Sequence, residues 1–237
     1  MIDVAHARNR RNSEEELVDL ITSEVQKLLR MRSSTDKPRP KINSEYPLIP
    51  VGVSNRHVHL TQDTFYSLFG EGAKFEPIRP LYQPGEFATD NIITVVGPKM
   101  RSISGLRILG PFRKYDQVEL SLTDAIFLGL DPPIVNSGSL ENAAPLTLVG
   151  PNGSLYKEKC AIIPNRHIHA SNKEASMFGL KNGDYCKVHI GGEKGLVFEN
   201  VLIRTNDNWK LQMHLDTDDA NAANIRGEAQ AEFVGKM

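Results

Sequence analysis

The chain has 237 residues, with 28 basic against 29 acidic side chains and a formal net charge of −1, so no overall field draws it to nucleic acid. Its 40% hydrophobic content suits a soluble fold with a buried core, arranged as one large domain or two small ones. The longest apolar runs, Ile92 to Val96 and Ala125 to Leu128, fall far short of the roughly 18 residues of a membrane span.

In chain order, residues 13–31 read S-E-E-E-L-V-D-L-I-T-S-E-V-Q-K-L-L-R-M, with Leu17, Leu20, Ile21, Val25, Leu28 and Leu29 recurring at three- and four-residue steps. That period predicts an amphipathic helix, opened by a Ser13/Glu16 capping box and closed by Arg30 and Arg32 at the negative end of its dipole. The polar stretch from Ser33 to Pro47 contains three prolines and reads as a linker. A separately capped stripe on a tether either docks back onto its own chain or serves as a docking peptide for another protein. The N-terminus has no secretory apolar core, and Cys160 and Cys186 stand apart rather than in a C-x-x-C pair. A reducing cytoplasmic setting and a small-molecule partner are expected, with both cysteines in the core.

From Tyr46 onward the texture is short β-type runs: L-I-P-V-G-V-S, I-I-T-V-V-G, L-T-L-V-G, C-A-I-I-P, Y-C-K-V-H-I and G-L-V-F-E-N-V-L-I. Glycine and proline punctuate them, and no long amphipathic helix separates successive strands. The pattern predicts a mainly β fold of small barrels or sandwiches with short α-helices.

An internal repeat carries the chemistry. S-N-R-H-V-H-L-T at 54–61 returns as P-N-R-H-I-H-A-S at 164–171, which marks the body as a duplication. Each copy leads into a short helical stretch ending in Phe-Gly, at Phe69-Gly70 and Phe178-Gly179. The segment from His169 also aligns without gaps on that from Glu119, and the pattern opens again at His214. Four times a strand delivers His59, Glu119, His169 or His214 two residues before a helix N-cap, at Thr61, Ser121, Ser171 and Asp216. Alternation along a strand puts His57 beside His59 and His167 beside His169, roughly 7 Å apart at the backbone. The N-terminal half then supplies His57, His59 and Glu119, and the C-terminal half His167, His169 and His214. A single H-x-H is ordinarily two polar strand residues, but five of the seven histidines fall in the repeated element. Three nitrogen or carboxylate ligands per half, without thiolate, predict two metals, zinc first, with cobalt, iron and manganese as alternatives. Arg56 and Arg166 alternate to the opposite strand face, where structural ion pairs are expected. Ser137, in an S-G-S turn, is either a phosphate donor or a plain turn residue.

N-R-H-V-H-L and N-R-H-I-H-A, with G-P-F-R-K-Y-D-Q-V-E-L-S between them and M-H-L-D-T-D-D-A-N-A near the end, resemble the phosphate propanoyltransferases of propanediol-utilising bacterial microcompartments. The resemblance covers about residues 46–227. It implies two similar small β-barrel domains behind the N-terminal helix, with residues 1–45 as docking helix and linker. Residues 46–56 would form a first strand pairing with the C-terminal barrel, 57–163 the first barrel domain and 164–237 the second. It implies two zinc ions per chain on the six residues already singled out, and Arg113 as a catalytic, phosphate-binding residue. The implied reaction is reversible transfer of a short, propanoyl-like acyl group between coenzyme A and inorganic phosphate. The implied setting is a cytoplasmic microcompartment, as a homo-oligomer, with shell or core proteins held through residues 13–31. Competing readings are a two-metal hydrolase of a thioester or phosphoester and a non-catalytic zinc-stabilised docking module.

Overall fold

The computed structural model describes residues 20–27 and 45–237. Residues 20–27 are helical (α1), with Leu20, Ile21 and Val25 exposed. The Ser13/Glu16 cap, the rest of the expected 13–31 helix and linker residues 33–44 lie outside the described residues. Tyr46, the expected start of the folded body, packs on Phe178 and Phe233 with ring centroids 5.7 and 4.9 Å away, so only the reading of the linker as running on to Pro47 is too long. Among the described residues no helix is long and apolar enough to cross a membrane.

The chain then runs through β1 (Ile49–Val53), β2 (His57–His59), α2 (Gln62–Phe69), β3 (Arg79–Pro80), β4 (Phe87–Val96), β5 (Ser102–Gly110), β6 (Gln117–Glu119), α3 (Leu122–Leu128), β7 (Ile134–Val135), β8 (Ala144–Gly150) and β9 (Gly153–Pro164). It continues as β10 (His167–Ala170), α4 (Asn172–Met177), β11 (Tyr185–Ile190), β12 (Leu196–Thr205), β13 (Gln212–Leu215), α5 (Thr217–Ala222) and β14 (Ala229–Lys236).

One ring of strands runs β4–β5–β2–β6–β9–β8, and β8 returns to pair with β4. The short β3 and β7 flank it. A second closed barrel runs β11–β12–β10–β13–β1–β14. Taken in these orders, both rings show the same succession of pairings: antiparallel, parallel, antiparallel, parallel, antiparallel, antiparallel. Shared pairing sense in shared order is what a duplication produces.

The two rings exchange strands. β9 completes the first barrel and runs into β10 of the second, whereas β1 completes the second and runs into β2 of the first. The crossing connections carry the repeated Asn-Arg dipeptides, Asn55-Arg56 and Asn165-Arg166. As expected, these arginines form ion pairs: Arg56 Nε lies 2.9 Å from Asp124 Oδ2, and Arg166 Nη2 3.1 Å from Asp219 Oδ1. Arg56, however, is not turned away from the ligand face as expected but lines the same cavity as His57 and His59, because it precedes β2 and strand alternation does not govern it. Each aspartate stands in the first turn of a helix, where its charge also suits the helix dipole.

All four expected N-caps form. Thr61, Ser121, Ser171 and Asp216 accept from the backbone N–H of Thr64, Asp124, Glu174 and Asp219, and Glu174 completes a capping box with Ser171. A separate core fills each barrel, with Val58, Phe65, Leu106 and Val118 in the first and Ile168, Phe198, Met213 and Phe233 in the second. β5 and β14 were not among the apolar runs in the sequence. Gly105, at φ +78°, interrupts the first, and the second is built on small residues around Ala231. Neighbouring strands recruit both, since strand formation follows packing context more than intrinsic preference.

Candidate functional site

Four short strand segments build the site: H-V-H in β2, Q-V-E in β6, H-I-H in β10 and Q-M-H in β13. In each, the central apolar residue enters its barrel core, so alternation sends both flanking residues to the opposite face. Register then sets the partners. His57 stands opposite Glu119 and His59 opposite Gln117; in the second barrel His167 stands opposite His214 and His169 opposite Gln212.

The six singled-out residues thereby form two groups. His57, His59 and Glu119 bring one ligand atom each within 4.8 Å of one another, as do His167, His169 and His214. His57 and His59 have ring centroids 5.0 Å apart, His167 and His169 4.6 Å, and His167 and His214 4.9 Å. The Nδ1 atoms of His57 and His167 lie 2.8 Å from the backbone oxygens of Asn55 and Asn165. A carbonyl only accepts, so each Nδ1 carries the hydrogen and each Nε2 of the neutral ring keeps its lone pair free. His59 Nδ1, both ring nitrogens of His169 and His214 Nε2 are buried without a partner. Buried polar atoms are rarely left so, and a metal ion bound to neutral imidazole and carboxylate would satisfy this donor set.

The electrostatics favour the neutral form of four of these rings, His59, His167, His169 and His214. Burial, and after it the neighbouring charges of His167, His214 and Arg204, pushes His169 down to about 2. Burial with His167, His57 and Arg204 pushes His214 down to about 3. His59 is held well below its ordinary value by burial, then by His57 and Arg113. His167 is also lowered, mainly by burial, although Glu119 of the other group opposes this. The field of each group therefore reaches the other.

Both groups open on one cavity of about 600 Å³. Among the described residues its walls carry Arg56, Arg79, Arg107, Arg113 and Arg204 against Glu86 and Glu119 only, with no lysine. Arginine forks match the planar oxygen pairs of phosphate and carboxylate. Arg113 lines the cavity; its Nη2 donates to Glu86 Oε1 at 2.6 Å, and its Nε is buried and unpartnered. Ser137 lines the cavity too, and its Oγ accepts from Gln117 Nε2 at 2.7 Å. Gln83 bonds Lys210 twice, its Nε2 donating to the carbonyl at 3.0 Å and its Oε1 accepting from the backbone N–H at 3.1 Å. This ties a loop of the first barrel to one of the second beside Trp209. Cys160 and Cys186 are fully buried in the two cores, where burial pushes both thiols up to about 12.

The sequence reading missed Gln117, Gln212, Arg107, Arg204, Glu86 and Trp209. The two glutamines had a signal: each precedes a singled-out ligand by two residues, so the period of a strand puts it on the ligand face. The others come from strands and loops with no repeated motif.

A pH dependence follows for protein stripped of metal. Unfolded histidines titrate near about 6.5, whereas folded His59, His169 and His214 stay neutral well below that. The unfolded state therefore binds more protons below about pH 6.5, and stability falls as pH drops from there toward the folded values. The unfolding free energy of chelator-treated protein, read by denaturant titration, should decline on going from about pH 7.5 to about pH 5, by up to about 1.4 kcal/mol per pH unit for each such histidine. A flat profile would show these rings to be solvated.

The family model for phosphate propanoyltransferase matches residues 50–226, which include all eight singled-out residues. The phosphate propanoyltransferase of Thermotoga maritima is 49% identical over 178 residues, spanning 75% of this chain and 84% of that protein. That of Lachnoclostridium phytofermentans is 48% identical over 177 residues, covering 75% and 83%, and that of Rhodopseudomonas palustris 42% identical over 180 residues, covering 76% and 79%. With the duplicated barrels and the arginine-lined cavity between its histidine groups, the chain belongs to the phosphate propanoyltransferase family, and with it to the acyltransferases.

Proposed function

We propose that the chain transfers a short, propanoyl-like acyl group reversibly between coenzyme A and inorganic phosphate, with two zinc ions held by His57, His59 and Glu119 and by His167, His169 and His214. The observation that carries this reading is the opening of two three-donor groups onto one arginine-lined cavity. Bound zinc would supply Lewis-acid polarisation and charge neutralisation. The chain's own residues do the rest. Arg113 holds a phosphate oxygen through the guanidinium edge not occupied by Glu86, and Ser137 presents its hydroxyl to the same cavity. A phosphate dianion is already a competent nucleophile near neutral pH, so direct attack on the thioester needs no covalent acyl-protein stage. The two cysteines are unsuited to one, because both are buried in the cores as protonated thiols. Within the cavity, where the protein replaces part of the solvent, each arginine contact with negative charge developing on the thioester oxygen is stronger than it would be in bulk water.

Residues 13–31 serve as a docking segment for microcompartment shell or core proteins, so that the enzyme works inside such a compartment and self-associates through the same segment. In support, the family match begins at residue 50, and Leu20, Ile21 and Val25 are exposed on α1.

Incubation with propanoyl-CoA tests the reaction. Phosphate-dependent release of CoA is expected; release independent of phosphate points to hydrolysis, and no release to a docking module. His57→Ala and His167→Ala should each abolish turnover and remove about one ion per chain, and full activity in either would overturn the ligand assignment. Arg113→Ala should leave zinc content intact while raising the phosphate requirement, with about 2–4 kcal/mol of transition-state stabilisation lost; Arg113→Lys should recover only part of it, lacking the bidentate fork. Deleting residues 1–32 should preserve turnover and zinc content but abolish co-assembly with shell or core proteins. Lost activity or thermal stability would instead place the helix in the catalytic fold.

A further inference from the structure

We infer that Gln117 is a positioning residue that selects which oxygen of Glu119 is left for a metal and which way the Ser137 hydroxyl donates. The inference rests on the two-zinc reading above. Gln117 is fully buried on β6, the strand held between β2 and β9. Its amide makes three bonds of 2.7 Å: Nε2 donates to Glu119 Oε1 and to Ser137 Oγ, and Oε1 accepts from the backbone N–H of Gly138. The orientation of the amide is forced, because a backbone N–H can only donate and a carboxylate can only accept.

Two consequences follow from that orientation. Glu119 Oε1 is committed to Gln117, which leaves Oε2, 3.4 Å from His57 Nε2, as the oxygen facing the ligand group. Ser137 Oγ already receives a hydrogen from Gln117, so its own hydrogen has to be donated elsewhere, and Ser137 lines the cavity. One buried amide thus presents an acceptor to a cation and, through the serine, a donor to an anion. The ligand chemistry suited to that donor is a phosphoryl oxygen, from inorganic phosphate or from coenzyme A.

The duplicated counterpart supports this division of labour. Gln212 stands opposite His169 as Gln117 stands opposite His59, yet its Oε1 is buried without a partner. Its neighbour in the ligand position is His214, which has no second oxygen to be held. The role of Gln117 therefore arises from the carboxylate in the first group.

The test uses the full-length protein and three variants, with zinc affinity read by competition with a chromophoric chelator. Gln117→Leu should weaken one of the two zinc sites about 10- to 100-fold, the range for loss of a partner behind a metal ligand. It should also raise a KM. Ser137→Ala should raise that KM while leaving zinc affinity unchanged; a rise for phosphate assigns the serine to inorganic phosphate, a rise for acyl-CoA to coenzyme A. Gln117→Glu keeps the shape and the acceptor for Gly138 but turns the serine hydrogen inward, so the same KM should rise about tenfold or more. This variant carries the test if the leucine form does not fold. If the wild-type protein binds no zinc, the two-zinc reading falls and this inference with it. If the wild type binds two ions and Gln117→Leu binds both with unchanged affinity, losing thermal stability alone, Gln117 is structural and the inference is overturned. An unchanged KM in Gln117→Glu overturns it equally.

Discussion

The crossing of β1 into β2 and of β9 into β10 is the constraint on which the rest of this molecule depends. Each barrel is closed by a strand whose chain continues as the H-x-H strand of the other. Neither ring can close without its neighbour's segment, so both H-x-H strands start at the junction of the barrels. The Arg56–Asp124 and Arg166–Asp219 pairs tie each crossing segment to a helix of the barrel it enters. Thr123 on α3 donates its backbone N–H at 2.8 Å to Asp218 on α5, joining helices of the two barrels.

At that junction ordinary strand alternation becomes a device for assembling polar groups. The central Val58, Val118, Ile168 and Met213 are driven into the cores by the hydrophobic effect, and the histidines, Glu119 and Gln212 beside them are thereby turned into the shared cavity. Burial then acts on those neighbours, since a charged imidazole is costly in a low-dielectric cleft lined with arginine. His59, His167, His169 and His214 are thereby held toward the neutral form, the form in which an imidazole can bind a metal, and the backbone oxygens of Asn55 and Asn165 select the tautomer of the first histidine in each pair. Core packing, protonation and tautomer thus share one cause in the strand geometry.

The duplication has not kept its halves chemically equal. One group carries Glu119 where the other carries His214, so the first adds a negative charge and the second none. The difference spreads outward, because the carboxylate engages Gln117, and through it Ser137 and Gly138, while Gln212 has no such task. A symmetric frame therefore presents two unequal groups to one cavity, as suits a reaction whose two substrates differ.

The sequence by itself determined much of this. Repetition of N-R-H-x-H, with Glu119 and His214 in aligned positions, marked all six grouped residues, and the four N-caps were legible because capping is local chemistry. The β class was legible from alternation and turn residues. The assembled cavity was not. The pairing of β1 with β13, the recruitment of β5 and β14, and the convergence of Arg107, Arg204, Glu86 and Trp209 depend on contacts between segments far apart in the chain. Gln117 lies between these cases: its place on the ligand face follows from the period of two, whereas its bonds to Ser137 and Gly138 exist only because the folded chain brings that turn against β6. Local periodicity and caps are written in neighbouring residues, but cavity walls and hydrogen-bond polarity are fixed by which distant backbones meet, and only the tertiary structure decides that.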